Sequence, residues 1–95
     1  MSKESVAFKN RDRFIQLGIA ISTLRKMRGM SQEQLAERAG ISRSHLSVIE
    51  APGMIRAFSM EMFFNIADAL EISPVELLNT SLVPEQVLNK NRDTQ

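Results

Sequence analysis

Apolar residues recur three and four positions apart along this chain, the period of helices that bury one face, and no stretch alternates with the period of two that marks a strand. Phe14, Leu17, Ile21 and Leu24 form the first stripe and predict a helix from about Asn10 to Met27, stopped by Gly29. Ser31 follows as an N-cap with Gln34 three residues later, a capping box. Leu35, Ala36 and Ala39 fall on one face of the short helix this opens. Gly40 stands where a helix end needs a left-handed residue. Ser42 can cap a third helix, in which Leu46 and Ile49 share a face. Glu50-Ala51-Pro52-Gly53 ends that helix, because Pro lacks a backbone donor and Gly permits a turn. Met54 to Phe58 is predicted as a loop. Ser59 then caps a fourth helix with Met60, Phe63, Ala67 and Leu70 in one stripe and Ile66 beside it. Ser73-Pro74-Val75-Glu76 places Ser at N-cap, Pro at N1 and Glu at N3 of a short fifth helix ending near Leu78 or Asn79. Pro84 could open a further turn or two over Glu85 to Lys90, and Asn91 to Gln95 is expected to fray. The fold class is all-α: a compact five-helix domain with room for a short extra C-terminal helix.

The stretch from Ser31 to Glu50 organises the rest. Two short helices joined by a Gly-containing turn, with small Ala36 and Ala39 allowing a close crossing, are the signature of a helix-turn-helix. At 100° per residue, with Leu46 facing the core, Ser44, Val48 and Ala51 point outward. Arg43 and Ser47 flank that face on one side and His45 on the other. A face this small and rich in donors suits a DNA major groove, which admits one helix. A generic helical hairpin with a solvated face has the same spacing.

Composition narrows the setting. A chain of 95 residues is one domain by prior, with a modest core. With no Cys there is neither a disulfide nor a thiolate nucleophile, which is compatible with a reducing compartment. The start is polar and charged, unlike a signal peptide, and no run approaches the length of a membrane span, so a cytoplasmic location is expected and membrane association is not. The net charge of +1 is uninformative, but its distribution is not. Residues 1–30 carry +5, residues 31–58 balance, and residues 59–95 carry −4. A basic front and acidic back suit a protein that offers one end to a polyanion.

The segments LRKMRGMS, QEQLAERAGISRSHLSVIE and FNIADALEISPVELL together resemble the Cro and phage-repressor type of helix-turn-helix, the XRE family of bacterial transcriptional regulators. The resemblance runs from about Leu17 to Leu78. It implies a lambda-repressor-like domain of five helices whose third helix reads the major groove of double-stranded DNA, usually from a homodimer. The implied division is a flexible basic arm over 1–10, the DNA-binding domain over 11–80, and a tail over 81–95 that could dimerise.

The residues then take roles. Arg25 lies beside the core stripe of the first helix and Glu50 on the inner edge of the third, where a carboxylate needs a cation. The resemblance implies that they pair as a structural ion pair. Gln32 and Ser42, at helix starts that favour anions, are phosphate candidates together with Ser31 and the loop residue Arg56. Arg43, Ser44 and Val48 are the base-edge candidates, through guanine, several bases and a thymine methyl respectively, with His45 and Ser47 flanking. Arg43 could instead bind phosphate. The family often has Asn-Gly where this chain has Ala51-Pro52-Gly53, so the family's usual backbone contacts in that loop are not carried over. Lys3, Lys9, Arg11 and Arg13 could add non-specific affinity or remain solvated. Met62, Phe64, Leu82, Val83, Val87 and Leu88 are apolar beyond the needs of the core and are assigned to a subunit interface, or to a tail that folds back over the fourth helix.

Other classes fare worse. One His, no Gly-rich phosphate loop and no His/Asp/Glu cluster at metal-ligand spacing argue against an enzyme and imply no cofactor, metal or small-molecule ligand. Without Trp or Tyr, a single-strand binder would lack stacking platforms. The expected function is a sequence-specific transcriptional regulator, a repressor or autoregulator acting as a dimer on a palindromic operator. An antitoxin or accessory interaction module on the same fold is the alternative.

Overall fold

A computed structural model describes residues 10–54 and 57–81; the basic arm, Arg56 and the tail residues Leu82, Val83, Val87 and Leu88 lie outside them, as does the further helix expected over Glu85 to Lys90. The described residues form five helices: α1 (Arg11–Met27), α2 (Gln32–Ala39), α3 (Arg43–Glu50), α4 (Met60–Ala69) and α5 (Pro74–Ser81). Helix α1 packs on α3 and α5, α2 on α3 and α4, and α4 on α5. The core these contacts enclose is built from Leu17, Ile21, Leu35, Leu46, Phe63, Ile66, Leu70 and Leu77, with the small side chains of Ala20, Ala36, Ala39 and Ala67 buried among them.

Capping chemistry sets the helix boundaries. The hydroxyls of Ser31, Ser42, Ser59 and Ser73 each accept from the amide three residues on, at 3.0–3.1 Å. Gln34 returns the bond to the Ser31 amide at 2.9 Å, completing the capping box. Three helices end in the paired hydrogen bonds of the Schellman motif. After α1 these run from Gly29 to Lys26 O and from Met30 to Arg25 O; after α2, from Gly40 to Glu37 O and from Ile41 to Ala36 O; after α4, from Glu71 to Asp68 O and from Ile72 to Ala67 O. Gly29 and Gly40 take the left-handed conformation this requires, at φ 70° and 71°.

At the third such end the left-handed residue is Glu71, at φ 58°. A Cβ crowds the backbone there, whereas Gly carries no such penalty. Glu71→Gly is therefore expected to stabilise the fold, by about 0.5–1 kcal/mol after the added chain entropy of Gly is set against the relieved strain. Chemical denaturation reads this as a higher midpoint with an unchanged slope.

The structure departs from the sequence pattern at three places. Met60 is 60% exposed rather than in the core, because it opens the first turn of α4 while the stripe begins with Phe63. Helix α5 runs on to Ser81, past the expected end near Asn79. Ala51 does not extend the outward face of α3. It precedes Pro52, which disfavours helical geometry in its predecessor, and it is extended at φ −81° and ψ 116°. The edge-to-face pair of Phe14 and Phe58, with centroids 5.5 Å apart at 83°, ties the start of α1 to the segment before α4.

Candidate DNA interface

Arg25 and Glu50 are the two buried charged residues described, and they meet. Arg25 Nε donates to Glu50 Oε2 at 2.9 Å and Nη2 to Oε1 at 3.0 Å, the bidentate geometry that suits a guanidinium and a carboxylate. Nη1 donates to Met30 O at 2.7 Å, which binds the guanidinium to the link between α1 and α2. A fourth bond comes from Gln32 Nε2 to Glu50 Oε1 at 3.0 Å. Among the described residues no buried side-chain polar atom lacks a partner. The pair thus joins α1, the start of α2 and the end of α3 in one fully satisfied network.

A second feature fixes α1 against α3. A Cβ on Gly18 would meet the backbone carbonyl oxygen of Ile49, so the helices approach at a distance only glycine allows. Sequence reading passed over Gly18. The available signal was a Gly interrupting an otherwise good helical stripe, which usually has a packing reason.

With α3 held at its C-terminal end, its N-terminal half and the start of α2 face outward together. Gln32, Arg43, Ser44 and Ser47 line one shallow hollow of about 280 Å³. Arg43, Ser44 and Ser47 are exposed, while His45 and Val48 are half-buried at the flanks. The hydroxyls of Ser31 and Ser42 accept from backbone amides in their capping roles. Each keeps its own O–H for donation outward. Gln32 occupies the first position of α2 and Arg43 the first of α3, so two positive helix ends open on the same side. Gln32 is also committed inward, by its bond to Glu50, which spacing did not reveal. Of the apolar residues assigned to an interface, Phe64 is 45% exposed and Met62 packs partly against the core. Exposed Ile19, Met27, Val75 and Leu78 add an apolar surface on α1 and α5 that the sequence stripe did not single out.

Two crossed helices capped by Ser, a glycine turn and a polar outward face on the second define a helix-turn-helix DNA-binding domain. The helix-turn-helix family model HTH_3 matches residues 21–77, more than half of the chain. The chain belongs to this XRE-type family of DNA-binding transcription regulators. Among solved structures it is similar to the restriction-modification controller protein C.AhdI from Aeromonas hydrophila, at 34% identity over 67% of this chain and 94% of that one, with a TM-score of 0.62. It is similar to the clp gene regulator ClgR from C. glutamicum at 26% identity, covering 73% of this chain and 87% of that one, TM-score 0.66. A variant of the controller C.Esp1396I bound to its highest-affinity operator site matches at 26% identity, with 74% and 90% covered and a TM-score of 0.67. No curated protein matches. The fold and family are those of DNA-binding regulators rather than enzymes. Among the described residues no His/Cys/Asp/Glu group could hold a metal, and no helix is long and apolar enough to cross a membrane.

Proposed function

We propose that this regulator binds double-stranded DNA sequence-specifically, as a repressor or autoregulator, by inserting α3 into the major groove from each subunit of a homodimer on a palindromic operator in the cytoplasm. The observation that carries the reading is the shared hollow of Gln32, Arg43, Ser44 and Ser47, which sets the first residue of α2 beside the exposed side chains of α3. Arg43, Ser44 and Val48 read base edges, with Ser47 and His45 at the flanks. Gln32, Ser31, Ser42 and Arg56 hold phosphates. The similarity to an operator-bound controller supports this arrangement. Arg43→Ala is expected to cost about 1–3 kcal/mol on the preferred site and to relax the preference at one base position. Fluorescence titration against the site and its single-base variants measures both effects. A uniform loss on every sequence would instead make Arg43 a phosphate contact.

Assembly as a dimer follows from the reach of one small domain, which covers only a few base pairs. Dimers of this class place two recognition helices about 34 Å apart, on half-sites about 10 base pairs apart. A two-fold interface must be self-complementary, and its apolar surface is assigned to Phe64, which is exposed, to the half-buried Met62, and to Leu82, Val83, Val87 and Leu88 of the tail. Sedimentation equilibrium at micromolar concentration is expected to give twice the 10.7 kDa of the chain. A single species at the chain mass, both free and on DNA, would mean that the apolar tail covers its own subunit.

A further inference from the structure

We infer that Glu50 is a positioning residue for DNA backbone contact, acting through Gln32, and that the ion pair with Arg25 therefore organises the DNA-facing surface as well as the core. The inference rests on the reading of Gln32 as a phosphate contact. Its ground is a single oxygen. Glu50 Oε1 receives both Arg25 Nη2 and Gln32 Nε2, each at 3.0 Å, while Oε2 receives Arg25 Nε at 2.9 Å.

A carboxylate only accepts hydrogen bonds, so it selects one of the two orientations of the Gln32 amide. Nε2 turns inward to Glu50. The second N–H of Nε2 and the amide oxygen are then left for the half-buried, solvent-reached side, where Gln32 lines the hollow with Arg43, Ser44 and Ser47. That N–H is a donor for a phosphate oxygen, and the amide oxygen is an acceptor for the neighbouring Arg43 or serine hydroxyls. A glutamine without this anchor would be free to turn its oxygen toward the phosphate, or to sample several rotamers that binding must then freeze. The anchor is itself rigid, since Arg25 is bound to Met30 O at 2.7 Å and the Glu50 side chain is 4% exposed. Glu50 also needs these donors for a second reason. A bare carboxylate so near the interface would repel the DNA backbone, and the three bonds it accepts mute that field.

Phosphate-ethylation interference on a duplex recovered by selection from random DNA tests the inference with the full chain. Gln32→Ala is expected to abolish interference at one phosphate per half-site and to weaken binding about three- to tenfold, the scale of one hydrogen bond. Glu50→Asp retains a charge for Arg25 but draws the oxygens back from Gln32. It is expected to abolish interference at that same phosphate and leave the others in place. The double variant should then bind no worse than the weaker of the two single ones. If Glu50→Asp does not fold, as judged by thermal unfolding, the paired substitution Arg25→Met with Glu50→Met replaces it with the same expectation, since it removes both buried charges together and leaves Gln32 Nε2 without its acceptor. Retained interference at the Gln32 phosphate in these variants, or losses that multiply in the double variant, would overturn the inference while leaving the Gln32 contact standing. No change of interference in Gln32→Ala would remove the contact itself, and the inference with it.

Discussion

Glu50→Ala is expected to destabilise the folded domain by about 3–5 kcal/mol, the cost of leaving one partner of a buried ion pair without the other. The magnitude follows from what remains. Arg25 is 8% exposed and would lose two of its three hydrogen bonds, keeping only Met30 O, and Gln32 would lose its inward acceptor. Water cannot simply replace the carboxylate, because the Glu50 side chain is only 4% exposed. A loss this large is a sizeable fraction of the stability of a domain of this length. Thermal unfolding is expected to fall by well over 10 °C, at about 4–8 °C per kcal/mol for a domain of this size. DNA binding should weaken as a consequence of unfolding, and protein kept below its new midpoint should recover part of it. An unchanged melting temperature would contradict the burial of the pair.

Gly18→Ala carries the second large effect, and its sign decides between two physical arguments. Propensity alone favours Ala over Gly in a helix interior by about 1 kcal/mol. Against this, the new Cβ meets the carbonyl oxygen of Ile49, a backbone atom at the end of α3 that cannot swing aside as a side chain would. Relief requires α1 and α3 to separate, which strains the Arg25–Glu50 pair seven residues further along α1. Overpacking of this kind typically costs about 1–3 kcal/mol, and with the ion pair coupled to it the upper part of that range is expected, outweighing the propensity gain. The substitution is also expected to shift α3, so affinity for DNA should fall in protein that is still folded. A rise in the denaturation midpoint would show that the two helices are not in close register at this point.

Much of this was legible in the chain itself, for identifiable reasons. The Ser caps and the two glycine stops act through neighbouring backbone, so their effect could be read locally, and the helices begin where Ser31, Ser42, Ser59 and Ser73 direct. Periodicity placed Leu17, Ile21, Leu35, Leu46, Phe63 and Leu70 in the core, because a stripe on a helix has only one face to bury. What escaped were features that depend on a second element. The turn after α4 uses Glu71 in a left-handed conformation, which nothing about a glutamate announces. Met60 fits the spacing of the stripe yet stands in the first turn, beyond the reach of the core. Gly18 and the inward bond of Gln32 are determined by the crossing of α1, α2 and α3, a geometry that composition and spacing do not specify. The outward surface of α3 was legible as a surface, whereas its use of Gln32 as a bridge to Glu50 was not.

Selection of bound fragments from random double-stranded DNA, followed by sequencing, tests the central claim most directly. The expected result is enrichment of one two-fold symmetric sequence, with half-sites centred about 10 base pairs apart, whose preference at one position relaxes in Arg43→Ala. Recovery of fragments with no common sequence, bound no more tightly than unselected duplex, would contradict it.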